Sequence, residues 1–421
     1  MLFFYNLITF LYLPIALIKL FYNKNFSLKE IDRVKERFGF ISKEIIRSSK
    51  KIIWIHAVSV GEVNTSINLI KNLQKTFPDK SILVTTTTST GSERLKKIFK
   101  DDIFHQYFPF DVIFFIKRFL AFWKPNGLIL IDTEIWPNLI NQCSKRKIPV
   151  MLLNGRLSNK SLNNYKKMKT LFFKTFSKIN LIIAQTDEDR NNFIEIGANS
   201  KKVIVDASLK FDALDESPLK PTFSFDEKLL KERKIITCAS THPKEEEILF
   251  RSFKLLDDEF SHLVLVPRHP QRAESIGEFL KKENASFSFL NIKDKFHLDL
   301  NNKISIVNEI GHLNFLYSIS DIAFIGGTLI KHGGQNFLEP LSHGLPISSG
   351  DSVYNFQEIA NQLLELKILK YGNSAEEISS IWRDELSKKN NHLIKQKSFD
   401  YISSKKGSLK RSIEKVKEWI K

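Results

Sequence analysis

Near the C-terminal third of this 421-residue chain an apolar run, Asp321-Ile-Ala-Phe-Ile, opens into Gly326-Gly-Thr328 and then Gly333-Gly-Gln-Asn-Phe-Leu-Glu-Pro340. Glycine lets a backbone approach an anion and take positive φ, while a helix start offers unpaired N–H groups and the positive end of its dipole. Glu339, just inside that helix, would accept hydrogen bonds from sugar hydroxyls, so the segment reads as a nucleotide-sugar pocket. A local alternative stands beside it. Asn336-x-x-Glu339 is also capping-box spacing, and Pro340 is tolerated in a first helical turn.

Other strand-like runs end in complementary chemistry. His56-Ala-Val-Ser-Val-Gly-Glu62 breaks a buried run at Ser59 and Gly61 and delivers Glu62, a carboxylate suited to deprotonating an acceptor hydroxyl. Ser59-x-x-Glu62 again has capping-box spacing. Thr85 through Arg94 is rich in hydroxyls around Gly91 and suits either a sugar or phosphate ligand or an ordinary strand end. Ile131-Asp-Thr-Glu-Ile-Trp-Pro-Asn138 sets Asp132 and Glu134 beside Trp136, whose ring can stack on a sugar while carboxylates take hydroxyls. An Asp-x-Glu pair is equally at home at a helix N-terminus. Asn154-Gly-Arg-Leu-Ser158 supplies Arg156, and Leu209-Lys-Phe-Asp212 supplies Lys210 to neutralise charge developing on a leaving group. Ala239-Ser-Thr-His-Pro-Lys-Glu-Glu246 and Val266-Pro-Arg-His-Pro-Gln-Arg272 add Arg268, the best phosphate ligand of the set because a guanidinium grips phosphate oxygens bidentately.

These residues need elements that gather strand ends. After Ser49, short β-branched runs alternate with amphipathic stretches, the pattern of parallel strands joined by helices. The spacing predicts strands over 52–56, 81–86, 127–131, 149–154 and 181–184, with helices over 64–75 and 163–176 among them. A charged, proline-bearing stretch between Asp212 and Arg233 reads as a linker. A second series predicts strands over 234–239, 263–267, 304–307, 322–325 and 346–348, then a helical tail over 374–421. The length calls for two cores. The fold class is therefore α/β, with doubly wound domains over 23–212 and 234–421 joined by 213–233 and facing a cleft at the strands' carboxyl ends. One wall would carry carboxylates and the other phosphate binders.

Cys143 and Cys238 are the only cysteines, without CxxC or Cys/His spacing, so neither a disulfide framework nor a zinc site is expected and a reducing compartment fits. The formal charge of +17 calls for an acidic partner. Its lysines are scattered, with no helix-turn-helix, zinc finger or aromatic-basic platform, which argues against nucleic acid. An anionic membrane or a phosphorylated substrate accounts for the charge. Residues 1–22 speak for the membrane. They are mostly apolar from 2 to 18, interrupted by Asn6, Thr9 and Pro14, and are followed by Lys19, Lys24, Lys29, Arg33, Lys35 and Arg37. The run falls short of the roughly 20 apolar residues of a spanning helix and lacks the n-region and cleavage site of a signal peptide. It reads as a marginal anchor or an interfacial helix with its basic flank in the cytoplasm.

Taken in order over nearly the whole chain, His56-Ala-Val-Ser-Val-Gly-Glu62, Asp132-Thr-Glu-Ile-Trp-Pro-Asn138, Asn154-Gly-Arg-Leu-Ser158, Ser240-Thr-His-Pro243, Pro267-Arg-His-Pro270 and the Gly326 to Pro340 blocks resemble the 3-deoxy-D-manno-octulosonic acid (Kdo) transferases of bacterial lipopolysaccharide synthesis. The resemblance implies a GT-B glycosyltransferase fold with an N-terminal hydrophobic helix. It places the lipid A precursor in the N-terminal domain, CMP-Kdo in the C-terminal domain, and the enzyme at the cytoplasmic face of the inner membrane. It implies inverting direct displacement, with Glu62 as general base and Asp132 or Glu134, with Lys210, stabilising the transition state. CMP binding is implied for Pro267, Arg268 and His269, for Gly311, His312 and Leu313, and for Asn336, Phe337, Leu338 and Glu339. No cofactor or metal is implied, because fixed cations and helix dipoles can stabilise a nucleoside monophosphate leaving group. The chain departs from the family pattern at His312, Gln335, Ala207-Ser208 and Asp132, where the family usually has Glu, His, Gly-Asn and Glu, and at Asp351, where Pro is common. His312 matters most, since it cannot accept hydrogen bonds from ribose or base as a carboxylate does, whereas backbone contacts survive the change. A GT-B transferase or epimerase using a different nucleotide sugar is the alternative.

Overall fold

The computed structural model describes residues 1–21, 31, 33–41, 50–214, 222–292, 295–387 and 392–420. Lys24 and Lys29 of the basic flank, and residues 215–221 of the expected linker, lie outside the described residues. Two compact units account for the rest, Met1–Ala213 with Lys405–Lys421, and Leu214–Ser404.

The first unit is built on seven strands: β1 Lys51–His56, β2 Lys80–Thr86, β3 Phe104–Tyr107, β4 Gly127–Ile131, β5 Val150–Gly155, β6 Leu181–Ala184 and β7 Val203–Val205. They pair in parallel in the order β3-β2-β1-β4-β5-β6-β7. The central strands, β4 and β6 most clearly, are continuous apolar runs because both faces are covered. Successive residues divide between two cores: Trp54, Leu128, Leu130 and Leu152 face one, and Ile53, Ile55, Ile129 and Leu153 the other. The strand order reverses direction at β1, so the loops after β1 and β4 splay apart and leave a crevice at their carboxyl ends.

The second unit repeats the plan with β9 Lys234–Thr241, β10 Ser261–Pro267, β11 Phe287–Phe289, β14 Ile304–Ile306, β15 Ile322–Ile325, β16 Ile347–Ser349 and β17 Leu369–Tyr371. The order β11-β14-β10-β9-β15-β16-β17 puts its reversal at β9. β8 Ser224–Phe225, β12 Asn291–Ile292 and β13 Lys295–Leu298 form a small separate sheet.

Three expectations change. The latter part of the predicted linker is folded: β8 is followed by a helix, Glu227–Glu232, capped by Asp226 Oδ1, which accepts from the N–H of Lys228 and Leu229 at 2.8 and 3.1 Å. The helix predicted over 163–176 is two helices, Asn159–Lys166 and Lys169–Phe176. The helical tail does not all belong to the second domain, because its last helix, Ser408–Trp419, joins the first unit. Ile413, Val416 and Ile420 recur at helical spacing and enter the core beneath β1 and β4, where the missing Cβ of Gly127 makes room for the Ile420 side chain. Asp212 accepts from the N–H of Gly407 and Leu409 at 2.8 and 2.9 Å, and Arg411 pairs with Asp206, fixing the start of that helix.

Candidate active site

In the first unit the crevice between β1 and β4 is acidic. Beyond β1 the chain turns into a helix, Val60–Thr76, with Ser59 at its N-cap but no hydrogen bond to the Ser59 side chain from the helix. The capping box is therefore only half formed. Glu62 Oε2 accepts from the Val58 N–H at 2.6 Å, and its Oε1 accepts from the Ser59 hydroxyl at 3.1 Å. Burial, with the nearby Asp132 charge adding to it, outweighs these donors and pushes the Glu62 carboxyl up to about 7. A carboxyl so poised is half ionised at neutral pH, the condition a general base needs.

Beyond β4, Asp132 takes a left-handed backbone, φ 56°, which turns the chain sharply and exposes Glu134 to the same crevice. Glu134 is pushed up to about 7 by burial and by the charges of Glu62 and Asp132. Burial raises Asp132 as well, opposed by the Asn154 hydrogen bond and by the charges of Lys210 and Arg156. The structure thus brings Glu62, Asp132, Glu134 and Lys210 together. Like charges crowded in one partly dry site shift one another upward, while the two cations limit the cost.

Asn154 holds this arrangement. Itself at φ 59°, it donates through Nδ2 to Asp132 Oδ1, while its Oδ1 accepts from the Ser208 hydroxyl at 2.9 Å and the Leu209 N–H at 3.1 Å. One amide therefore ties the ends of β4 and β5 to the segment bearing Lys210. The sequence presented Asn154 only as part of a block. Its signal was an amide that tolerates positive φ at a strand end. Thr88, by contrast, caps the helix Ser89–Phe99 by accepting from the Gly91 N–H at 3.2 Å, so this threonine serves the ordinary structural role.

In the second unit a basic basin lies at the ends of β9, β10 and β15. The register shift between Val266 and Pro267 carries the chain out of β10 into Arg268, whose N–H donates to the Thr241 carbonyl at 2.9 Å. The Arg268 side chain is exposed and makes no ion pair among the described residues. Arg272 is different, since it bridges both oxygens of Glu246 at 2.6 and 3.0 Å. His242 stacks on His332 with centroids 4.1 Å apart and stands 6.5 Å from the His269 ring. Burial, reinforced by His332, His269, Arg268 and Arg272, holds His242 down to about 4. Its Nε2 is 3.1 Å from Gln335 Nε2, so with the amide donating, the neutral ring carries its proton on Nδ1. The Arg268 and Arg272 charges that disfavour a proton on His242 also make a field suited to an anion.

The glycine loops do not all serve that anion, which corrects the sequence reading. The N–H groups of Gly327, Thr328 and Leu329 donate to the buried Glu245 at 2.7, 3.0 and 3.0 Å, with the His242 N–H adding a fourth bond at 2.8 Å. That nest is filled by an internal carboxylate. Gly326 is required by packing, since a Cβ there would lie 2.4 Å from the Ser240 carbonyl oxygen. The expected helix start is a five-residue helix, Leu338–Ser342. Asn336 Oδ1 accepts from the Leu338 N–H at 3.0 Å and its Nδ2 donates to Glu339 Oε1 at 2.9 Å, so the local capping interaction exists. Phe337 and Leu338 are buried, while half-buried Glu339 keeps Oε2 without a hydrogen bond among the described residues.

Gly311, His312 and Leu313 precede and open the helix Leu313–Ser318, which packs against Leu338–Ser342 and is tied to it by His343 Nε2 and Asn314 Oδ1 at 2.8 Å. Gly311 is exposed at φ 110°. His312 is buried against Phe296 and Phe223, with centroids 4.9 and 6.0 Å away. Its ring fills an aromatic gap, leaving the Gly311 backbone as the open part of this turn.

The family model for 3-deoxy-D-manno-octulosonic-acid transferase (kdotransferase) matches residues 32–213. The 3-deoxy-D-manno-octulosonic acid transferase of Haemophilus influenzae is 35% identical over 393 residues, covering 92% of this chain and 91% of that protein. That of Rickettsia bellii is 33% identical over 398 residues, covering 93% and 92%. A solved glycosyltransferase from Rickettsia africae aligns with a TM-score of 0.59 and 17% identity, over 89% of this chain and 100% of that one, and shares the fold. On the strength of relatives aligned over both of its units, the chain belongs to the 3-deoxy-D-manno-octulosonic acid (Kdo) transferase family of GT-B glycosyltransferases.

Proposed function

We propose that this Kdo transferase takes Kdo from CMP-Kdo and delivers it to a hydroxyl of a lipid A precursor, with inversion at the anomeric carbon and Glu62 as general base. The observation that carries the mechanism is the Glu62 carboxyl, held by two local donors and pushed up to about 7. Glu62 takes the acceptor hydroxyl's proton as that oxygen bonds to the anomeric carbon. The bond from that carbon to the CMP phosphate breaks, and its electron pair leaves on the phosphate oxygen. Asp132 and Glu134 orient the acceptor and balance positive charge that develops on the sugar, while Lys210 answers the charge gained by the leaving group.

CMP is assigned to the second unit. Arg268 grips the phosphate, with His269 and the His242–His332 pair lining the basin beside it, and Pro267 sets the arginine's exit from β10. The Gly311-His312-Leu313 turn offers backbone groups, and Glu339 Oε2 is free to take ribose hydroxyls beside Asn336, with Phe337 and Leu338 packing the turn beneath them. The N-terminal helix holds the enzyme at the anionic cytoplasmic face of the inner membrane, where the acceptor resides. Conversion of Glu62 to Gln tests the reading: Kdo transfer should collapse while CMP binding persists.

A further inference from the structure

The helix Leu2–Phe21 is long and apolar enough to cross a bilayer, yet its contacts point elsewhere. We propose that it lies along the membrane surface with both ends on the protein's own side, a lipid-embedded strap rather than a transmembrane anchor. This rests on the reading that the helix binds membrane and specifies how.

The first end is docked. The Tyr5 hydroxyl donates to Asp111 Oδ2 at 2.9 Å. Asp111 is buried and also accepts from the N–H groups of Asn138 and Leu139, each at 2.9 Å, at the start of the helix Pro137–Lys145. Met1 and Leu2 share a cavity of about 150 Å³ with Pro137, Asn141, Leu171 and Lys174. The other end returns to the same unit, because Arg33 donates to Ser92 Oγ at 2.7 Å and Glu36 accepts from the Tyr107 N–H at 2.6 Å.

Spanning is hard to reconcile with these anchors. Twenty helical residues measure about 30 Å, the thickness of the hydrocarbon core, so a spanning helix puts its two ends on opposite sides. The Met1 end cannot cross while Tyr5 holds Asp111. If the Phe21 end crossed instead, Tyr22-Asn-Lys-Asn-Phe-Ser-Leu-Lys-Glu30 would have to return through lipid carrying Lys24, Lys29 and Glu30.

Exposure along the helix is one-sided in the way a strap requires. Tyr5, Asn6, Thr9, Leu13, Ala16 and Leu20 recur at helical spacing and are half-buried, while Phe3, Phe4, Leu7, Phe10, Leu11 and Ile18 are exposed. Phe114, three residues beyond the Asp111 that docks Tyr5, and Phe40 are exposed as well. The Arg118 guanidinium, 3.9 Å from the Phe40 ring centroid, adds a basic rim. Apolar and aromatic side chains with basic groups at their edge fit the acyl–headgroup boundary of an anionic leaflet.

The test is a short polar tag with a protease site placed ahead of Met1 in the full chain. Protease is offered from outside to spheroplasts and from the cytoplasmic side to inverted inner-membrane vesicles, with detergent as the control for an intact site. The strap predicts cleavage in inverted vesicles and protection in spheroplasts. Cleavage only in spheroplasts would show a spanning helix and overturn the proposal, leaving the membrane reading intact. Recovery of the protein in the soluble fraction would instead overturn the membrane reading itself.

Discussion

Replacing Glu62 with Gln preserves size and most contacts while removing the base. The Val58 N–H, 2.6 Å from the carboxylate, keeps an amide oxygen as acceptor, and the Ser59 hydroxyl contact at 3.1 Å survives with donor and acceptor exchanged. The fold should therefore lose no more than about 1 kcal/mol. The chemical step loses its proton acceptor, which costs on the order of 10²- to 10⁴-fold in turnover, or roughly 3 to 5 kcal/mol of activation free energy. The pH profile separates this loss from a structural one. With the wild-type carboxyl at about 7, roughly a tenth is ionised one unit below that value and roughly nine tenths one unit above. Wild-type kcat/KM should climb about tenfold over those two units, and the Gln variant should lose that limb. Because Glu134 sits at a similar value beside Glu62, the limb belongs to the pair and shifts to lower pH when Glu134 is replaced by Gln. The assay is Kdo transfer to radiolabelled acceptor at saturating and limiting donor from pH 5.5 to 9. Near-normal turnover in Glu62→Gln, or an unchanged alkaline-rising limb, would refute the assignment.

Four further outcomes follow from the same geometry. Arg268→Ala should weaken CMP binding by about 10- to 100-fold, the worth of a charge-assisted phosphate contact, and an unchanged dissociation constant by calorimetry would remove Arg268 from the donor site. Glu339→Ala should also weaken donor binding, whereas unaltered affinity with a lowered melting temperature would leave only the Asn336 capping role. Glu245→Gln leaves part of a four-donor nest unsatisfied, and a loss of about 2 kcal/mol or more is expected by denaturant unfolding; full stability would mean the glycine loop can be satisfied otherwise. Glu134 binds its proton more tightly folded than unfolded, so it subtracts stability progressively as pH rises from about 4.5 to about 7 and by a constant amount above that. The melting temperature of Glu134→Gln relative to wild type should thus rise across that window, and a flat or falling difference would contradict the shift.

The strands with uninterrupted apolar runs were legible in the sequence. Gly127–Ile131, Leu181–Ala184 and Ile322–Ile325 match their expected bounds, because burial on both faces leaves no polar alternation to blur them. The edge strand Phe104–Tyr107 reads Phe-His-Gln-Tyr, with no such run, and is recruited by pairing with β2. The closing helix carries a clear apolar stripe, but nothing in a stripe says which sheet it will cover; that choice depends on Gly127 and Asp212, remote in sequence. At the site, residue types at strand ends located Glu62, Asp132, Glu134 and Lys210 together. The purpose of the glycines was less legible, since a backbone nest looks the same in sequence whether a ligand phosphate or the internal Glu245 fills it. His312 illustrates the converse: a departure within a motif that the structure absorbs as aromatic packing against Phe223 and Phe296.

The central claim is tested most directly by mass spectrometry of a tetra-acylated lipid A precursor incubated with purified protein and freshly generated CMP-Kdo. The account predicts a mass increase of at least one Kdo unit, dependent on both substrates and abolished in Glu62→Gln. Unmodified acceptor in the presence of folded protein and an active control transferase would contradict the proposed donor and acceptor.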